Sequence, residues 1–212
     1  GGTCVLYLNN QNRLKVYYDE QVNELEIGGV TELHATDWIA AYSINQKLKV
    51  IEEGRARTLS HRCPVYQVED SLIVFFDENR AALRVYYSGH SEDIENGLMG
   101  LPVHNLRSGD NIVAYTSTIS NDFKIYYRGE LQTIIPSVRN TSYKAGKDIV
   151  AYVSELDNSF YAFYKGEIIL LETFPPKSYK TGDGFVAYVD DMGNFKVFYG
   201  GDIIEISSYE PE

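Results

Sequence analysis

The side chains able to do chemistry are plentiful in one kind and sparse in the others: 30 Asp and Glu stand beside only four His and two Cys. Nucleophilic or metal chemistry needs particular neighbours at particular spacings. His34, His61 and His104 fall in irregular segments and His90 beside a turn, with no HxH or HExxH spacing to aim two imidazoles at one ion. They read as structural. Cys4 and Cys63 lack CxxC partners; Cys4 is expected deep in a core strand and Cys63 in a peripheral segment beyond bridging reach, leaving two reduced, buried thiols. There is no GxSxG, no phosphate loop and no GxGxxG after a strand. Asp190-Asp191 before Gly193-Asn194 has a faint calcium-loop flavour, but ordinary turn chemistry accounts for it. No catalytic residue, metal ligand or cofactor site is assigned. The acid–base option left open is two or more carboxylates from different parts of the chain meeting over a shared channel.

Charge narrows the partners. With 19 basic against 30 acidic residues the net charge is −11, so nucleic acid and anionic membrane surfaces are repelled. No apolar run approaches the roughly 20 residues of a membrane span. The chain opens Gly1-Gly2-Thr3, with neither an initiator Met nor a signal-peptide core, and reads as mature, trimmed or excised. Apolar residues make up 44%, enough for a substantial core.

What positions these residues is a repeat. One aromatic column runs through Tyr7, Tyr42, Phe76, Tyr115, Tyr152 and Tyr188, at spacings of 35, 34, 39, 37 and 36. After it come "LKVYY" from Leu14, "LKVIE" from Leu48, "LRVYY" from Leu83, "FKIYY" from Phe123, "FYAFY" from Phe160 and "FKVFY" from Phe195. A turn position then follows at Glu20, Gly54, Gly89, Gly129, Gly166 and Gly201, and five residues on stands Leu25, Leu59, Ile94, Ile134, Leu171 or Ile206. Short runs rich in β-branched and aromatic residues are strands. Strand A carries the aromatic column, B the "FKVYY" block and C the Leu/Ile column, with a tight B–C hairpin. Gly suits the positive φ of that hairpin, and Glu20 must strain or use another turn. Leu33, Leu106, Tyr143 and Tyr179, six residues before strand A, suggest a short outer strand D after C.

Strand A, apolar on both sides, needs a sheet on each face. The "VAYVDDMGNFKVFYGG" rhythm resembles quinoprotein-like and related bacterial β-propeller repeats, which implies an all-β, six-bladed β-propeller of about 36-residue, three- to four-stranded blades. The repeats run approximately 1–35, 36–69, 70–108, 109–145, 146–181 and 182–212 within a single domain. Trp38 is the only Trp, so the Trp-docking signature is missing and no quinone is carried over. "SSYEPE" at the end resembles "TSYKAG" before the fifth repeat, and "GGTCVLY" resembles "GDNIVAY", as in a closed ring. The phrases "VYYDE" and "FYKGE" resemble envelope propellers of the Bacteroidetes, including accessory subunits of secretion machinery, which implies an exported setting in periplasm or cell envelope.

Departures from the repeat mark candidate sites. The basic column Lys15, Lys49, Arg84, Lys124 and Lys196, broken by Tyr161, reads as structural, paired with Asp37, Asp110 or Asp183 ahead of strand A. Ile119, Leu156 and Met192 recur four residues past the aromatic column inside polar A–B loops. Leu98, Met99 and Leu101 of the insertion "NGLMGLP", together with Phe174, join them on the same side. Either each tucks beneath its own loop, or they form an exposed apolar surface for another protein. On the opposite side Arg55 and Arg57 could fork onto a carboxylate of a partner or a neighbouring sheet, with local acids as competitors. The expected function is a noncatalytic protein-binding scaffold or accessory subunit. A carbohydrate- or small-ligand-binding propeller using tyrosine platforms is the alternative, and a channel-face enzyme using carboxylates or a metal the third.

Overall fold

A computed structural model describes residues 4–100, 103–138 and 141–207. Leu101 and the last five residues of the "SSYEPE" segment lie outside them. Every regular element described is a strand, and the strands form six antiparallel sheets in two compact halves, Gly1–Pro102 and Val103–Glu212.

In the N-terminal half, sheet 1 holds β1 (Cys4–Leu8), β2 (Arg13–Tyr18) and β3 (Gln21–Ile27). Sheet 2 holds β4 (Val30–Ala35), β5 (Ala40–Ile44), β6 (Lys47–Glu52) and β7 (Arg55–Ser60). Sheet 3 holds β8 (Tyr66–Val68), β9 (Leu72–Asp77), β10 (Ala82–Tyr87) and β11 (His90–Asn96). In the C-terminal half, sheet 4 holds β12 (His104–Gly109), β13 (Ile112–Thr116), β14 (Phe123–Tyr127) and β15 (Glu130–Ile135). Sheet 5 holds β16 (Ser142–Gly146), β17 (Ile149–Val153), β18 (Phe160–Tyr164) and β19 (Glu167–Glu172). Sheet 6 holds β20 (Ser178–Thr181), β21 (Phe185–Val189), β22 (Phe195–Tyr199) and β23 (Asp202–Ser207).

The strand expected as an outer D after C belongs elsewhere. β12, β16 and β20 pair with the A strand that follows them, so each four-stranded sheet runs D–A–B–C and strand A is second, not first. Turn length decides this: Asp110-Asn111 and Lys147-Asp148 close D to A as two-residue hairpins, with Asn111 and Asp148 at φ of 65° and 56°. The C-to-D links into β12, β16 and β20 are longer and cross to the next sheet, whereas Gly28-Gly29 makes that crossing from β3 to β4 in two residues. Their expected pairing followed hydrophobic spacing, which locates a strand without naming its neighbour.

The B–C turns carry positive φ at both central residues. Asp19 and Glu20 adopt 49° and 61°, where Ser88 with Gly89 adopt 49° and 81° and Lys165 with Gly166 adopt 50° and 96°, so Glu20 takes the strained option rather than another turn type. Beyond the turn, every B–C pair slips register at the same place, between Leu14/Lys15 in sheet 1 and Phe195/Lys196 in sheet 6. The slip makes Leu25, Leu59, Ile94, Ile134, Leu171 and Ile206 the unpaired residue of a β-bulge in all six copies.

The bulge explains the basic column. The residue after it is turned toward the next sheet, where Glu26 accepts hydrogen bonds from Tyr42 (2.9 Å) and Lys49, and Glu172 from Tyr188 (2.9 Å) and Lys196 (2.7 Å). Arg84 instead meets Asp93 at 2.7 Å and Asp77 at 3.5 Å. The acids ahead of strand A were the wrong partners, because they sit at the far end of the sheet from the basic column. Tyr161 breaks the column where Ile135 replaces the carboxylate, and its ring stacks on Tyr152 at 5.6 Å.

Within the C-terminal half, sheets 4 and 5 share a core of Phe123, Ile125, Tyr143, Val150 and Phe163, the Phe123 and Tyr143 rings 4.6 Å apart. Sheets 5 and 6 share Ile149, Phe160, Leu171, Tyr188 and Phe198. Their D–A turns are tied together by Asp148 N–H to Asp110 O (2.9 Å) and Gly184 N–H to Lys147 O (3.0 Å). Here Gly109 and Gly146 are obligatory, since a Cβ on either would enter the neighbouring glycine's carbonyl oxygen. Both cysteines are free thiols; Cys63 is buried but Cys4 only half so, at the start of the first strand beside the core that sheets 1 and 2 share.

Candidate protein-binding surface

Since the D–A turns of sheets 4, 5 and 6 meet at one end, their A–B loops share the other. Two residues past the aromatic column each loop has a buried polar anchor: Ser117, Ser154 and Asp190. Ser117 Oγ accepts the amides of Ile119 (3.2 Å) and Ser120 (3.0 Å), and Ser154 Oγ accepts that of Leu156 (3.2 Å). Asp190 takes both Asn194 donors, at 2.8 and 3.0 Å, and Lys196 at 2.9 Å. Burial works to raise its carboxyl pKa, and the hydrogen bonds from Lys196 and Asn194 outweigh it, holding the group well below the usual carboxylate range. Asp157 is held low by Tyr161 and the Ser159 amide. These loops are short, anchored platforms.

Each platform lifts one apolar side chain into solvent. Ile119 is 56% exposed, Leu156 72% and Met192 80%; Phe174, on the link after β19, is 59%. None of the four is a plug. The link holding Phe174 joins the same end, through Ser159 Oγ to Thr173 O (3.4 Å) and Lys177 N–H to Val189 O (2.9 Å). Exposed Glu155, Asp157 and Asp191 flank the tips with negative charge.

In the N-terminal half Met99 is 88% exposed, but Leu98 is 1% exposed, so Leu98 is removed from the candidate surface. Its amide binds Ala81 O (2.8 Å), which turns the side chain under the insertion as a plug. Arg57 is occupied locally and by the neighbouring sheet: it pairs with Glu52 of its own sheet (3.1 Å), one of the local acids expected to compete for it, and in sheet 3 donates to Gly89 O (3.2 Å) and lies 5.2 Å from the Tyr86 ring. Glu52 in turn accepts from Tyr86 Oη at 2.7 Å, and burial together with that bond pushes the phenol up to about 12. Arg55 is exposed. Sequence reasoning overlooked Trp38, 79% exposed on a β4–β5 loop pinned by Thr36 Oγ1 to the Ile39 amide (3.0 Å). A lone Trp in a polar loop was the available signal.

A groove of about 700 Å³ runs beside β16 and β20, lined by Ser142, Lys144, Lys177, Tyr179, Tyr188 and Phe195. Lys144 donates to Tyr179 O (2.6 Å) and Ser142 meets Tyr179 Oη at 3.2 Å. A hollow of about 520 Å³ in the N-terminal half contains Cys63, Glu32 and Tyr66; burial pushes the Cys63 thiol up to about 12, the opposite of an activated thiolate. Among the described residues no three His, Cys, Asp or Glu side chains gather in a geometry able to hold a metal ion.

Several solved structures are similar. The CRINKLY WD40 ectodomain of the Arabidopsis thaliana receptor kinase ACR4 shares 9% identity at a TM-score of 0.48, over 97% of this chain and 79% of that one. Prp20p from Saccharomyces cerevisiae, described with its binding to Gsp1p and histones, shares 13% at 0.44, over 93% and 70%. The computationally designed Ika8 protein shares 16% at 0.44, over 99% and 73%. No curated protein matches the sequence. The model of the 10-bladed β-propeller domain matches residues 1–212. A run of antiparallel sheets built on one repeat, with that match along its whole length, makes the chain a member of the ten-bladed β-propeller family.

Proposed function

We propose that the chain is a noncatalytic propeller that binds another protein through Ile119, Leu156, Phe174 and Met192. The supporting observation is that these large apolar side chains stand exposed on loops whose buried anchors fix them beforehand, so little ordering entropy is lost on docking. Such tips are the anchors of an interface core, and the Glu155, Asp157 and Asp191 rim selects a partner with a basic border. Replacing Leu156 and Met192 together with Asp abolishes partner capture and leaves thermal unfolding unchanged. Capture that survives the double change rules the surface out. Met99 belongs to the same class of exposed loop tip, while Leu101 lies outside the described residues. An envelope or secretion-complex setting rests on the "VYYDE" and "FYKGE" wording alone.

The groove beside β20 favours a second reading, a carbohydrate ligand, since it combines the Tyr179 and Phe195 rings with Ser142 and Lys144. A glycan array separates the readings: sugar binding lost in Lys144→Ala and kept in the Leu156 and Met192 variant assigns the groove.

A further inference from the structure

Lys49, Arg84, Arg128 and Lys196 each meet a carboxylate, as expected in a chain with 30 acidic residues against 19 basic. One row in the C-terminal half does not. Arg107, Lys144 and Lys180 hold the same repeat position on β12, β16 and β20, opposite Ala114, Ala151 and Ala187. Those three strands contain no Asp or Glu. All three cations are exposed, and among the described residues none of them forms an ion pair. Lys177, on the link into β20, is exposed and unpaired in the same sense, and its Nζ overhangs Gly193, 3.2 Å from where a Cβ there would stand.

The repeat makes the row. Side chains alternate along a strand, and the tyrosine before each lysine is committed to a core: Tyr143 lies 4.6 Å from the Phe123 ring of sheet 4, and Tyr179 5.0 Å from the Phe160 ring of sheet 5. Lys144 and Lys180 are thereby set on the other side of their strands, with Ser142 and Ser178 two residues before them. The strands themselves lie side by side. Tyr143 Oη donates to His104 O of β12 (3.2 Å), and Thr181 Oγ1 of β20 donates to Ala145 O of β16 (2.9 Å). Lys144 is held in place by Tyr179 O (2.6 Å) and by the Tyr179 ring, 4.7 Å away. Lys144, Lys177 and Lys180 all line the groove of about 700 Å³, with Phe195 and both serines, and Arg107 carries the row beyond it onto β12.

We propose that this row binds an acidic oligosaccharide, one bearing carboxylate or sulfate groups, with its charges on Lys180, Lys144 and Arg107 and a sugar ring against Phe195. The inference rests on the carbohydrate reading of the groove and gives that ligand a charge and a length. Charge follows from complementarity: in a molecule of net charge −11, a row of cations without counter-charges attracts an anion that the rest of the surface repels. Length follows from geometry. Packed sheets stand about 10 Å apart, so a ligand reaching from Lys180 to Arg107 is a chain of several sugars and not a single ring. Nucleic acid carries far more charge than four cations neutralise, and the surrounding acids repel the excess. An acidic peptide has no ring of hydroxyls to match Ser142 and Ser178 beside an aromatic face.

Isothermal titration of the whole chain with three hexasaccharides tests this: an oligogalacturonate, a sulfated heparin fragment and neutral maltohexaose. At least one acidic probe is expected to bind about tenfold or more tighter than the neutral one, and which of the two binds identifies the anionic group. Arg107→Met and Lys180→Met, both at exposed positions, are each expected to weaken that binding by about three- to tenfold, with Lys180→Arg retaining it. Raising salt from about 0.05 to 0.5 M is expected to weaken it by about tenfold. Because Arg107 lies outside the groove, its loss reports the row and not the pocket. Neutral sugar bound as tightly as acidic, and indifferent to both Met variants, overturns this inference and leaves the carbohydrate groove standing. Binding of none of the three overturns it as well, and a blank glycan array then removes the groove reading too. A hexaglutamate peptide or a short single-stranded DNA bound as tightly as the acidic sugar, and lost in the same variants, overturns the saccharide assignment.

Discussion

Glu20 occupies a hairpin position that five other copies give to Gly, at φ 61°. A left-handed non-Gly residue costs about 1–2 kcal/mol, partly offset by the greater unfolded-state freedom of Gly. Glu20→Gly is therefore expected to stabilise the chain by about 0.5–1 kcal/mol in urea unfolding. Asp190 acts in the other direction. Its folded pKa lies below the unfolded one, so its contribution is full above the ordinary carboxylate range and drains away as pH falls toward the folded value. Asp190→Asn is expected to unfold more easily at neutral pH, and the gap from the parent to narrow below about pH 4. The strain at Glu20 was legible because the repeat exposes the odd residue. The burial of Leu98 was not, since "NGLMGLP" is an insertion without a counterpart, and nothing in it tells which of Leu98 and Met99 turns inward.

At the scale of strands, the bulge is the working part of the repeat: it turns one carboxylate out of the sheet and into the next. Glu172→Gln and Tyr188→Phe are expected to be non-additive, with a coupling of about 1–2 kcal/mol in a double-mutant cycle. The close turns are the other constraint. Gly146→Ala is expected to cost about 3 kcal/mol or more, because the new Cβ collides with backbone at Gly182. Gly129→Ala, whose Cβ would meet open space, is expected to cost only the left-handed strain, about 1 kcal/mol. Strands A, B and C could be read from spacing, yet the joint could not. A period of 36 residues shows that Lys196 recurs, while its partner Glu172 lies in the preceding copy and is brought to it by a bulge.

For the molecule as a whole, the −11 charge and the acidic flanks of the loop tips set the kinetics of any encounter. Association with a basic-bordered partner is expected to slow as salt rises from 0.05 to 0.5 M while the apolar contacts keep dissociation nearly constant; these concentrations are roughly on either side of the physiological screening length. The repeat architecture was readable because six copies of one phrase leave few alternatives to stacked antiparallel sheets. The surface was readable only as a choice between plugs and tips, which backbone anchoring by Ser117, Ser154 and Asp190 decides. Hydrogen–deuterium exchange of the chain with and without its captured partner tests the surface most directly. Protection over residues 117–121, 154–158, 173–177 and 190–194 is the predicted footprint. A footprint confined to the groove strands β16 and β20, with the loop tips exchanging as in the free chain, contradicts it.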